Sequence, residues 1–141
     1  MRHVLFRLEK DRYALPLDAV REVVVAPDRY SLVPHAGPAV CGVTTLRGRV
    51  VPVVDLKKLL SLEGPSAGAK VVLLELSRRE LGLLVTEVEG IEAIEKVSPA
   101  PRPSRAVKGV ARVGPLTVTV LDVEGVDDAV THSFATGPSV R

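Results

Sequence analysis

The chain has 141 residues, 19 basic and 17 acidic, and a formal net charge of +2. That length fits one ordinary domain or two very small units sharing a core, and so balanced a charge excludes a global field that would draw the chain onto nucleic acid or an anionic membrane. With 26 Val, 18 Leu, 2 Ile and 2 Phe the sequence is too apolar to stay disordered, and the valine excess, stiff at χ1 and suited to a pleated surface, points to a mainly β fold.

The first element is "VLFRLEKDRYALPLDAV", Val4 to Val20, which reads as a strand, a polar turn and a returning strand. After an irregular stretch, "APDRYSLVPHAGP", comes "VCGVTTLRGRVVPVVDL", Val40 to Leu56, a second hairpin whose tip, Thr45-Leu46-Arg47-Gly48-Arg49, places two guanidinium groups around a glycine. Gly48 is expected to take a positive φ in this turn, and Gly42 to mark a close backbone approach or a bulge. Pro52 in "VVPVV" cannot donate to a ladder and suggests an edge or a bulge. Asp55 can cap a short helical turn at "DLKKLL". "SLEGPSAGA" then reads as a link.

A third hairpin, "VLLELSRRELGLLVTEV", spans Val72 to Val88, with Gly82 expected, like Gly42, to mark a close backbone approach or a bulge. The acids of "TEVEGIEAIEK" alternate with apolar residues and form the solvated side of strands. "SPAPRPSRA" interrupts pairing with three prolines. "GVARVGPLTVTVLDV" is the last hairpin, with Gly109 in the role of Gly42, and a short helical turn is expected at "DVEGV". The residues after Asp128 lose periodicity and read as a flexible tail.

The halves repeat. Val4 to Val20 aligns with Val72 to Val88 without a gap, so that Val4, Leu5, Phe6, Leu8 and Leu15 meet Val72, Leu73, Leu74, Leu76 and Leu83. Gly42-Val43 precedes Asp55 by the same interval that separates Gly109-Val110 from Asp122. The expected organisation is two small β-barrels of about five strands each, residues 1–64 and 65–128, packed together with a cleft at their junction, followed by a tail over 129–141.

Nothing points to catalysis. His3, His35 and His132 are scattered and read as surface histidines; the single Cys41 cannot form an internal disulfide or a thiolate metal site and reads as a small buried side chain in a reducing compartment. Phosphate-loop spacing and a nucleophile elbow are absent from the sequence, so neither an enzyme nor a cofactor is expected. No apolar run reaches a membrane span, and the charges in "MRHVLFRLEKDRYALPLD" argue against a signal peptide, so the expected location is cytoplasmic without direct membrane insertion. The rival class is a small β-barrel that binds nucleic acid: Arg47, Arg49, Lys57 and Lys58 could form a local patch, but Phe6, Tyr13, Tyr30 and Phe134 are few for a stacking platform.

The segments "VLFRLEKDRYALPLDAVREVV", "VCGVTTLRGRVVPVVDL", "LGLLVTEVEGI" and "VKGVARVG" followed by "VLDVEGV" resemble the CheW-like domains of bacterial chemosensory systems, from about Val4 to Val126. The resemblance implies a pair of packed five-stranded barrels similar to SH3 domains and a non-enzymatic adaptor. Such an adaptor joins the cytoplasmic tip of chemoreceptors, lying along the groove between the barrels, to the CheW-like regulatory domain of a CheA-type histidine kinase at the barrel ends. It works in membrane-associated receptor arrays built with other CheW-like domains. By motif position, Arg47 and Gly48 match the family's R-G turn, Gly42 its Gly-Val glycine, and Val20 and Glu22 its V-x-E, with Glu22 a candidate partner for Arg47. Thr45 stands where Asn is usual and Thr86 where Asp is common. With no kinase core, phosphotransfer helix or receiver domain in the sequence, a stand-alone coupling protein is expected over part of a kinase or a CheV-type adaptor.

Overall fold

The computed structural model describes residues 1–64, 68–77 and 79–135. The elements are β1 (Arg2–Leu8), β2 (Asp11–Pro16), β3 (Val20–Val25), β4 (Val40–Leu46), β5 (Arg49–Asp55), α1 (Leu56–Leu59), β6 (Lys70–Glu75), β7 (Glu80–Val85), β8 (Glu87–Ala93), β9 (Val107–Val113), β10 (Leu116–Leu121) and α2 (Val123–Ala135). They build two five-stranded sheets, ordered β8-β1-β2-β10-β9 and β3-β6-β7-β5-β4. Each is antiparallel except for one parallel pair, β2 with β10 and β5 with β7. If β6–β10 are taken as the second copy of β1–β5, one sheet order converts into the other strand for strand.

The sheets are not the two halves of the chain. Hairpin β1–β2 is built into the sheet of β8, β9 and β10, and hairpin β6–β7 into the sheet of β3, β4 and β5, which corrects the division into 1–64 and 65–128. The boundary between those units adjoins residues 65–67, outside the described residues. The crossings are short: the 3-10 turn Leu17–Ala19 leads from β2 to β3, and Thr86 alone separates β7 from β8.

Apolar residues on both faces of the exchanged hairpins explain the arrangement, since a strand buried on two sides needs a layer on each. Phe6, Leu8, Tyr13 and Leu15 of one hairpin pack with Val72, Leu74, Leu81 and Leu83 of the other in a central core between the sheets. Alternate residues point into the separate sheet interiors, Leu5 and Ala14 with Val118 and Val120, and Val71 and Leu73 with Val51 and Val53. Phe6 and Tyr13 face each other across β1 and β2 and stack with ring centroids 6.1 Å apart.

One glycine in each sheet allows a close backbone approach that bends the sheet. Ser31 and Val43 exchange backbone hydrogen bonds of 2.9 and 2.8 Å, and Ser98 and Val110 do the same at 2.8 Å. A Cβ at Gly42 would lie 2.4 Å from the Ser31 carbonyl oxygen, and one at Gly109 2.2 Å from that of Ser98. The register of β4 against β5 and of β9 against β10 shifts beside each glycine. At Gly82 the constraint is side-chain packing, because a Cβ would meet Val71 Cγ1 at 2.8 Å.

Three expectations are corrected. Pro52 lies in β5, between β7 and β4, and so is at neither an edge nor a bulge. It faces Val43, whose N–H and C=O are both taken by Ser31, so β4 needs no donor from it. His3 is only 4% exposed, inside β1, with Nδ1 3.1 Å from the Met1 carbonyl. The segment read as a short turn and a tail from residue 129 is instead helix α2 as far as Ala135, while the tail beyond lies outside the described residues. Val126 and Val130 are buried in the central core, Phe134 packs against it, and the Gly37 N–H donates to the Ser133 carbonyl at 2.9 Å. By contrast α1 is a single turn, capped by Asp55, whose carboxylate accepts from the N–H groups of Lys57 and Lys58 at 3.0 and 3.4 Å.

Val130→Ala is expected to lower the unfolding free energy in a urea titration by about 2 kcal/mol, the cost of removing buried methyl groups from a packed core. A tail detached from the core would leave it unchanged.

Candidate partner-binding site

β3 and β4 are the two edges of one sheet, with β6, β7 and β5 between them. In a flat sheet they would be about 19 Å apart, four strand spacings. Yet Arg47, at the tip of the β4–β5 hairpin, donates from Nε and Nη2 to the two carboxylate oxygens of Glu22 on β3, at 3.0 and 2.7 Å. The sheet must therefore roll until its edges come within side-chain reach, and this planar two-bond pair spans the gap.

The turn itself is a two-residue loop with Arg47 at φ 52° and Gly48 at φ 79°, positive at both positions as in the hairpin turns that follow strand twist. Glycine takes that conformation freely, whereas arginine does so at a cost that Asn or Gly would avoid. Arg47 thus occupies a strained position in exchange for its guanidinium, which is 70% exposed, while Glu22 is 25% exposed. The hydrogen bond from Arg47 holds the Glu22 carboxyl below the usual carboxylate range, so it is ionised at neutral pH.

The repeat makes a control of the other sheet. There the positions of Glu22 and Arg47 are held by Gly90 and Gly114, and Pro115 replaces Gly48, so the equivalent edge lacks the pair. The neighbouring charges are inverted. On one sheet Arg21 of β3 lies 3.4 Å from Glu75 of β6 and 3.3 Å from Glu80 of β7. On the other, Glu89 of β8 lies 3.1 Å from Arg7 of β1 and 3.0 Å from Arg12 of β2, which are the matching positions.

The other expected residues divide between surface and scaffold. Thr45 is exposed on β4 opposite Val50, itself 68% exposed beside the tip. A Cβ at Gly48 would meet nothing within 4 Å. Val20 is half-buried and packs against the central core. Of the four cations read as a possible nucleic-acid patch, Arg47 is held by Glu22, Arg49 lies 3.0 Å from Glu80, and Lys57 is buried against Glu9. Lys58 is exposed on α1, Phe6 and Tyr13 are buried, and Tyr30 and Phe134 are half-buried, so these residues do not assemble a row of exposed aromatics beside a basic groove. Burial pushes the Cys41 thiol up to about 11, which keeps it protonated and unreactive.

Thr86, where the resemblance leads one to expect Asp, acts as an acceptor: its hydroxyl takes the Glu9 N–H at 2.8 Å and its own N–H donates to the Arg7 carbonyl at 3.0 Å. Sequence reasoning missed Glu80 and the Lys57–Glu9 pair, because their partners are 31 to 59 and 48 residues away in the chain and meet only through the exchanged strands. Among the described residues no group of three His, Cys, Asp or Glu is placed to hold a metal, and no helix is long and apolar enough to cross a membrane.

Residues 2–130 match the CheW-like domain. The chain belongs to the CheW-like domain family. Similar CheW proteins include the chemotaxis protein CheW of Klebsiella aerogenes, 25% identical over an alignment of 130 residues that covers 86% of this chain and 78% of that protein. Another is the chemotaxis protein CheW of Rhizobium meliloti, 30% identical over 105 residues, 73% of this chain and 67% of that one. The fold matches the crystal structure of the scaffolding protein TtCheW from Thermoanaerobacter tengcongensis, with a TM-score of 0.74, 25% identity, and 86% of this chain and 88% of that chain covered. The mainly β CheW-like architecture is thereby established, and the scaffolding proteins of the CheW family are not enzymes.

Thr86→Val should reduce stability by about 1 kcal/mol, because the Glu9 N–H loses its acceptor at the crossing between sheets. Thr86→Ser should restore it in the same thermal or urea unfolding measurement.

Proposed function

We propose that the protein is a chemosensory adaptor that couples the cytoplasmic tip of a chemoreceptor to the CheW-like regulatory domain of a CheA-type histidine kinase. Membership of the CheW-like family supports an adaptor, and the observation that carries the site is the Arg47–Glu22 pair, which only one of the two related sheets possesses. The pair lies at the rolled edge of the β3–β4 sheet, beside the exposed apolar side chain of Val50. An oriented guanidinium next to apolar surface is the kind of anchor that carries binding energy in protein interfaces. The receptor tip is assigned to this region, with Arg47, Gly48, Glu22, Val20 and Thr45 as its contact set. The kinase domain is assigned to the barrel ends, and other CheW-like domains complete the array. Working in the cytoplasm on membrane-associated receptors, the adaptor would act by holding receptor and kinase in one geometry, so that a conformational change in the first biases the second.

Arg47→Asn separates binding from folding, since Asn accepts the positive φ of the turn but has no guanidinium. The variant should unfold at or above the wild-type temperature while its affinity for a receptor cytoplasmic fragment, measured by calorimetry, falls on the order of tenfold or more. Unchanged affinity would remove the tip from the interface. Binding to single-stranded nucleic acid that weakens steeply with salt would favour the rival class instead.

A further inference from the structure

The Arg47–Glu22 pair joins two strands that no backbone ladder connects. The nearest main-chain link between the two edges, Ser31 to Val43, lies beyond the opposite end of β3. Rolling of the sheet brings the hairpin tip near β3, and a carboxylate with one oxygen withdrawn from solvent is placed to fix the side-chain geometry there. Glu80 begins β7, the middle strand of the sheet, and its side chain is 18% exposed. Its Oε2 lies 3.3 Å from Arg21 Nη1 and 3.0 Å from Arg49 Nη2. Arg21 immediately precedes Glu22, in the bulge of β3, and Arg49 immediately follows the Arg47-Gly48 turn. One oxygen therefore draws in residues that flank both members of the pair, Arg21 beside Glu22 and Arg49 two residues beyond Arg47.

That oxygen is inaccessible to solvent and makes no directed hydrogen bond, so its charge is balanced by the two guanidinium groups through ion-pair contact. A carboxylate oxygen withdrawn from solvent in such a place is costly unless both cations stay. The related sheet argues the same way. Its counterpart of Glu80 is Arg12, which meets Glu89, but Leu116 stands in place of Arg49 and two glycines in place of the pair. A three-point clamp of middle strand, bulge and hairpin occurs where there is a tip pair to align.

We propose that Glu80 is a positioning residue, which through Arg21 and Arg49 sets the Arg47–Glu22 pair in the geometry that a partner reads. This rests on the reading of that pair as a partner site, and the test keeps the two apart. Glu80→Gln and Glu80→Asp are made in the full chain, folding is checked by thermal unfolding, and the Glu22 carboxyl is titrated by carbon NMR. Removing a nearby negative charge would by itself lower the Glu22 titration midpoint further, whereas release of Arg21, Arg49 and the tip would raise it. Arg21, Arg47 and Arg49 are the charged groups that face Glu22, and Glu75 reaches it only through Arg21.

The proposal predicts an upward movement toward the ordinary carboxylate range in both variants, including Glu80→Asp, which keeps the charge but withdraws it by one methylene. It also predicts a several-fold loss of affinity for the receptor fragment. A midpoint that stays in place or falls in the folded variants overturns the positioning role. A midpoint that rises while receptor affinity is unchanged upholds the positioning role and overturns the partner role of the pair.

Discussion

The fold depends on the exchange of two hairpins. β1–β2 and β6–β7 each carry apolar side chains on both faces, so each must fill the inside of one sheet and also press against the other hairpin. In a chain of 141 residues neither sheet could bury a core of useful size from one half of the sequence. Exchange solves this by making the central core, from Phe6 and Leu15 to Leu74 and Leu83, common property of both. The chain then cannot come apart into independent barrels. Relative movement of the sheets would have to strain the short crossings at Leu17–Ala19 and Thr86.

On this shared scaffold the two sheets have diverged at their edges. The Gly42–Ser31 and Gly109–Ser98 approaches are common to both, as are the bulges next to them, and these set the curl. What differs is the chemistry mounted on the curled edge. One sheet closes with Arg47 and Glu22 supported by Arg21, Arg49 and Glu80; the other has Gly90, Gly114, Pro115 and Leu116 at the matching positions. An adaptor needs different surfaces for different partners, and an internally repeated fold supplies them when one copy carries a polar clamp and the other does not.

Much of this was legible in the sequence. The repeat of Val4 to Val20 in Val72 to Val88 anticipates the equivalence of the sheets, and Gly42 and Gly109 announce themselves by their shared interval to an aspartate. The exchange was not legible, because alternation of apolar residues says that a strand is buried but not against which half. Helix α2 was obscured by Gly125 and a run of Thr, His and Ser, although Val123, Val126, Val130 and Phe134 do follow the helical period. The Arg47–Glu22 contact could be suggested only by family position, and Glu80 not at all, because rolling of the sheet alone brings β7, β3 and the hairpin tip together.

An adaptor of the proposed kind holds two partners at once on different surfaces. Sedimentation velocity of the protein mixed with a receptor cytoplasmic fragment and a kinase regulatory domain tests it most directly. A single species containing all three is expected. Mutual displacement of the two partners, or failure of either to bind, would contradict it.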